Sequence, residues 1–144
     1  MRFDRFTAKL QQALSDAQSI AVGRDHSSIE TVHLLLALLQ QKDGSVSPLL
    51  KQAGANIANL DKKLNEQLER VATLKNPTGE VQVGQDLQRV FNLTDKLAQQ
   101  RQDQFIASEL VLLAIMDAGG DTAKSLQQSG VDKTRLQNAI QQLR

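Results

Sequence analysis

Residues Ile29–Leu39 read IETVHLLLALL, and residues Ile106–Met116 read IASELVLLAIM. Set 77 residues apart, the two stretches share four identities and four conservative replacements over eleven positions. Upstream, Leu10, Ala13, Ile20 and Ala21 fall on Leu87, Val90, Leu97 and Ala98. Downstream the separation slips to 76, and Leu50, Gly54, Leu60 and Leu64 fall on Leu126, Gly130, Leu136 and Ile140. The period exceeds the roughly 20–50 residues of a solenoid, so it reads as one unit of about 60 residues duplicated within a pseudo-symmetric domain. The predicted organisation is a single domain over 1–144, with repeat 1 at about 1–71, a connection at 72–83 and repeat 2 at 84–144.

Hydrophobic periodicity predicts an all-α fold of eight helices, four per copy. In the first, over about 4–22, Phe3, Phe6, Leu10, Leu14, Ala17 and Ile20 recur every three or four positions, with Asp4 as N-cap. The second, over about 31–41, is apolar nearly all round, the mark of a helix at the centre of its unit. Ser47-Pro48 opens a short third helix and Gly54 ends it. Asn56 caps a fourth that carries Ile57, Leu60, Leu64 and Leu68. The second copy repeats the plan over about 85–101, 108–117, 122–128 and 133–143, with Ser108, Asp121 and Asp132 as candidate caps. Between the copies, 72–83 contains Asn76-Pro77 and Gly79 and reads as non-helical. No segment shows the alternation of a strand.

Composition narrows function. The 144 residues lack cysteine, which removes disulfides, thiol catalysis and thiolate metal sites. Seventeen basic and sixteen acidic residues give a net charge of +1 without a charge block, so nucleic acid has no electrostatic footprint here. The aromatics Phe3, Phe6, Phe91 and Phe105 are too few and scattered for base stacking. The start MRFDRFTAKL is not a signal peptide, and the apolar run 34–39 is too short for a bilayer. A soluble cytoplasmic protein is expected, with neither nucleic acid nor membrane as partner.

Catalytic signals are weak. Residues 79–86, GEVQVGQD, have glycine spacing but lack the Lys and Ser/Thr of a phosphate loop. His26 and His33 have no cysteines and no HExxH spacing to complete a zinc site, so His33 reads as a hydrogen-bonded packing residue. Asn92-Leu93-Thr94 fits a glycosylation sequon but falls inside a predicted helix. No serine sits in a nucleophile elbow. The expectation is no enzyme, no catalytic residue and no metal site.

The MRFDRFT start, the small-residue-rich first helix and the two repeated segments resemble the double N-terminal repeat of the Clp ATPases. The GSVSPLL segment, the SGV turn and DQFIASEL are similar to its ClpB-type disaggregase branch. The resemblance covers the whole chain, which runs to QQLR without Walker motifs and looks like an N-terminal domain alone. It implies a mobile substrate-binding domain tethered to a homohexameric ATPase ring, where ATP and magnesium belong to the parent's ring modules. It implies unfolded or aggregated polypeptides as partners, and a DnaK-type chaperone system working with the parent. The family's important polar positions match Thr7, Asp103 and Glu109. Gly84 departs from the Ser often found there, removing a hydroxyl expected near Thr7 if the copies pack as the repeat suggests. The alternative is an adaptor-docking module, as in ClpA- or ClpC-type relatives.

Comparing the copies moves the candidate site to the second. Leu93 stands where the first copy has Asp16, Leu110 where it has His33, and Phe105 where it has Ser28. At 100° per residue, Leu93 lies about 100° from the centre of its helix's apolar face, beside Leu97. With Leu110 and Val111, these residues are expected to line an apolar groove, each leucine contributing up to about 1.5–3 kcal/mol if buried by a ligand. The competing reading packs Leu93 and Leu110 against the connection or the first copy. Phe105 reads as core. Asp103 and Glu109 read either as helix-dipole partners or as carboxylates at the groove rim.

Overall fold

The computed structural model describes residues Phe3–Arg144. Among these it contains eight α-helices and no strand longer than an isolated bridge. They are α1 (Ala8–Gly23), α2 (Thr31–Gln40), α3 (Val46–Gln52), α4 (Ile57–Arg70), α5 (Gln85–Gln100), α6 (Ser108–Ala118), α7 (Gly120–Gln128) and α8 (Lys133–Leu143). The all-α, twofold-repeated plan expected from the sequence is the plan observed.

Each copy is built around its most apolar helix. In α2, residues Thr31 to Leu38 are all buried, and in α6 so are Ser108 to Ile115. Helix α1 packs on α2 and α5 packs on α6. Leu10, Ala13, Ala17 and Ala21 form the inward face of α1, and these small side chains allow close approach. Helices α4 against α7 and α3 against α8 join the copies.

Backbone contacts between the copies obey the repeat. Thr7 N–H donates to Ile106 O (2.9 Å) and Ile106 N–H to Arg5 O (2.8 Å). The equivalent pair is Gly84 N–H to Ile29 O (2.9 Å) and Ile29 N–H to Gln82 O (2.9 Å). These are two parallel bridges, Phe6 with Ile106 and Ile29 with Val83. A further pair links α4 and α8: Asn56 N–H donates to Ser129 O (2.8 Å) and Asp132 N–H to Ala53 O (3.0 Å), each from the residue capping its helix. Between them Gly54 and Gly130, both at φ 108°, stand face to face. A Cβ on Gly54 would lie 2.6 Å from Gly130 O, and one on Gly130 would lie 2.5 Å from Gly54 O. The pseudo-twofold axis passes between these glycines.

Several boundaries differ from the sequence reading. Asp4 is not the α1 cap: Phe3–Arg5 forms a 3-10 turn, and Thr7 Oγ1 accepts from Leu10 N–H (3.3 Å). The cross-copy bridge at Phe6 holds the chain extended and delays helix entry. Helix α3 starts at Val46, ahead of Pro48, which falls in its first turn. Ser108 is the first residue of α6 rather than its cap, which is Ala107. Asp121 lies inside α7, because Gly119 (φ 73°) and Gly120 (φ 84°) turn the chain sharply from α6 into it. Asn56 and Asp132 cap α4 and α8 as expected. The 72–83 connection is non-helical and pinned to copy one. Ser27 N–H donates to Ala72 O (2.9 Å), and Leu74 N–H to Asp25 O (2.8 Å). No helix among the described residues is long and apolar enough to cross a membrane.

Candidate functional site

The residues singled out in sequence divide into two groups. Asp103 and Glu109 meet through Arg144, and Thr7 lies on the N-terminal strap that bonds to the α5–α6 loop between them. Thr7 is tied to Ile106 by its backbone, midway between Asp103 and Glu109 in sequence. Arg5 locks the same loop: Nη2 donates to Asp103 O (2.9 Å), Nε to Gln104 O (3.3 Å) and Nη1 to Asp95 Oδ1 (3.2 Å). These bonds fix the course of the loop's backbone, with Ile106 buried and Phe105 exposed.

The apolar residues do not form the expected groove. Leu110 and Val111 are both 0% exposed, inside the common core. The reason lies in the repeat. Position 33, the equivalent of 110, is also interior, so Leu110 fills a slot that the fold already buries. Leu93 and Leu97 are half-buried on α5 and pack against the core's edge. Phe105 reverses the expectation of a core residue: it is 61% exposed. Its equivalent, Ser28, is hydrogen-bonded to Glu30. The repeat comparison flagged Phe105 as an apolar gain, and only the loop's fixed course turns it outward. Phe3 is also 39% exposed and packs on Phe6 and Phe91, with ring centroids 5.3 and 5.6 Å away.

Both carboxylates are already engaged. Arg144 Nη1 donates to Asp103 Oδ2 (2.9 Å) and Oδ1 (3.1 Å), while Nη2 and Nε reach Glu109 Oε1 at 3.3 and 3.4 Å. Asp103 keeps 20% and Glu109 10% of its side-chain surface. In the first copy the places of Glu109 and Arg144 are held by Val32 and Leu68, both buried. An apolar pair in one copy is an ion pair in the other.

The pseudo-equivalent corner differs. Gly84 there faces Ser28 and Glu30, not Thr7: a Cβ on it would come within 2.9 Å of Ser28 Oγ and Glu30 Oε2. Glu30 also meets Asp86 from the second copy. Their hydrogen bond, burial and the Asp86 charge raise the Glu30 pKa to about 7. A cleft of about 530 Å³ opens beside this pair, walled by Val32, Val71, Val90 and Ala118, with Arg70 and Arg89 among its charged residues. Behind Glu30, His33 and His26 are buried and hydrogen-bonded to one another, the packing role expected of His33.

The residues 5–129 match the family model of the Clp repeat N-terminal domain. The whole chain is 55% identical to chaperone protein ClpB of Pseudomonas putida and 44% identical to chaperone protein ClpB of Vibrio cholerae. It spans 17% of the length of each of these relatives. Among solved structures, the Hsp104 N-terminal domain from Candida albicans superposes with a TM-score of 0.80 over 93% of this chain and 87% of that one, at 19% identity. The duplicated helical plan, the matched residues and the similarity across the whole of this chain together make it a member of the Clp repeat N-terminal domain family, of the kind found in ClpB-type ATPases.

Proposed function

We propose that this domain is a non-catalytic module that binds exposed apolar segments of unfolded or aggregated polypeptides, and passes them to the hexameric ATPase ring of a cytoplasmic ClpB-type disaggregase. The observation that carries the reading is Phe105, a large aromatic 61% exposed on a loop that Arg5 and the Phe6–Ile106 bridge hold rigid. It stands between Asp103 and Glu109 in sequence. A fixed aromatic anchor beside carboxylates suits an extended chain: the ring takes apolar side chains and the carboxylates take backbone N–H groups or basic side chains. Thr7, Leu93 and Leu97 are proposed to extend this surface. Ordering a disordered partner offsets much of the gain, so weak binding is expected.

NMR titration with reduced casein tests the proposal. Shifts centred on Phe105, Asp103 and Leu97 are expected, and Phe105→Ala is expected to abolish most of them while the domain stays folded. Shifts confined to the cleft beside Glu30, or saturable binding to one folded partner with indifference to casein, would instead favour an adaptor-docking module.

A further inference from the structure

Arg144 occupies the carboxylates that the proposed function needs. Its guanidinium meets three carboxylate oxygens, two from Asp103 and one from Glu109, all at 2.9–3.4 Å. The planar fork of arginine suits two carboxylates at once, which an ammonium does not match. The Arg144 side chain nevertheless keeps 33% of its surface in solvent. The carboxylates keep only 20% and 10% of theirs, so the pair lies toward the upper end of the about 0.2–1 kcal/mol of accessible ion pairs, with the open side of Arg144 leaving room for a competing ligand. The carboxylates, by contrast, are fixed: Asp103 N–H donates to Ala98 O (2.9 Å), Arg5 holds the Asp103 carbonyl, and Glu109 sits in the first turn of buried α6. The receptor half is rigid and the ligand half hangs from the end of a helix.

We propose that Arg144 is an internal competitor for this site, standing where the arginine side chain of a bound, unfolded polypeptide docks. The inference rests on the polypeptide-binding reading above and adds a substrate feature and a built-in restraint to it. Preferred segments carry arginine next to an apolar side chain, the arginine displacing Arg144 and the apolar neighbour covering Phe105. Only chains that supply both contacts release the clamp without loss. The carboxylate pair therefore discriminates against segments that offer apolar surface alone.

The experiment compares the 144-residue wild-type chain with Arg144→Gln. The probes are two fluorescein-labelled unstructured peptides, one with a single arginine flanked by leucines and the other with glutamine in its place. Anisotropy titrations at low ionic strength are expected to show Arg144→Gln binding the arginine peptide about 3- to 10-fold more tightly than wild type, within the span set by one to two ion-pair contacts. The glutamine peptide is expected to bind both proteins alike. Adding Asp103→Asn and Glu109→Gln to the variant should erase the gain. Equal affinity of wild type and Arg144→Gln for the arginine peptide overturns the inference and leaves polypeptide binding standing. So does an equal gain for the glutamine peptide. If neither protein binds either peptide, both readings are overturned. A matched thermal melt of the two proteins shows whether the variant is folded. If Arg144→Gln melts early, Arg144→Lys, which keeps the charge but loses the fork, is expected to show the same selective gain at smaller size.

Discussion

His33 Nε2 lies 2.7 Å from His26 Nδ1, and Glu30 N–H donates to His33 Nδ1 at 2.7 Å. The second contact uses the His33 lone pair, so neutral His33 carries its proton on Nε2 and donates it to His26. Both rings are buried and neutral. Burial, followed by the neighbouring His26, lowers the His33 pKa to about 4, and burial followed by Arg24 lowers that of His26. In the second copy the same two places hold Asp103 and Leu110. Leucine needs no hydrogen-bond partner, which leaves the residue at 103 free to turn outward. The corner at Asp103 thus begins with the loss of a buried polar pair.

The histidines and Glu30 make opposing contributions to stability against pH. A histidine depressed in the folded state is protonated preferentially when unfolded, so stability rises with pH from about 4 to the unfolded value of 6.5. Glu30, raised from 4.5 to about 7, binds its proton preferentially when folded, so stability falls with rising pH across that window. The wild-type profile is expected to be shallow between about pH 4.5 and 6.5 and to decline toward 7. Asp86→Asn removes the leading cause of the Glu30 shift. Urea melts across this range should then show stability rising with pH up to about 6.5, without the decline that follows. Superimposable wild-type and variant profiles would refute the coupling.

The facing glycines on the pseudo-twofold axis admit no side chain. Gly54→Ala combines a positive φ with a backbone oxygen at 2.6 Å, and Gly130→Ala meets the same conditions at 2.5 Å. Each is expected to destabilise by about 1–3 kcal/mol or more. The double variant should show non-additivity, because both changes open the same contact. Denaturant midpoints of the two single variants and the double one measure this.

Leu110 and Leu93 should separate cleanly. Leu110→Ala removes a fully buried side chain and is expected to lose about 2–5 kcal/mol of stability. Leu93→Ser, at the half-exposed edge of α5, is expected to lose about 1 kcal/mol or less while weakening casein binding. A Leu93→Ser protein that unfolds would assign Leu93 to the core.

Arg5→Ala is expected to loosen the loop without unfolding the domain. Two carbonyls and Asp95 lose a charged donor, a change worth about 1–3 kcal/mol locally. Hydrogen exchange should accelerate at the amides of Thr7 and Ile106, which close the bridge, and remain slow in α2. Protection unchanged at both amides would show that the bridge stands without Arg5.

The architecture was legible because duplication and helical period are properties of residue order alone. Leu10, Leu50 and Leu64 find Leu87, Leu126 and Ile140 without coordinates, and Gly54 and Gly130 announce matching helix stops. The polar part of the site, Thr7, Asp103 and Glu109, came from family resemblance. The expected groove fails at Leu110 and Val111, which are buried, and Phe105, read as core, is exposed, because comparing the copies shows which residues changed and not which neighbours cover them.

Sequence by itself therefore determined the eight helices, their pairing into two copies and the largely apolar centres α2 and α6, since these follow from periodicity, turn chemistry and the 77-residue repeat. Tertiary structure alone decided which apolar surplus stays dry and which faces water. Leu110 is interior because α6 is enclosed on every side, whereas Phe105 is exposed because the Phe6–Ile106 bridge and Arg5 fix the course of its loop. The packing of α8 against α6 brings Arg144 onto Asp103 and Glu109, a meeting across 41 and 35 residues that no local pattern encodes.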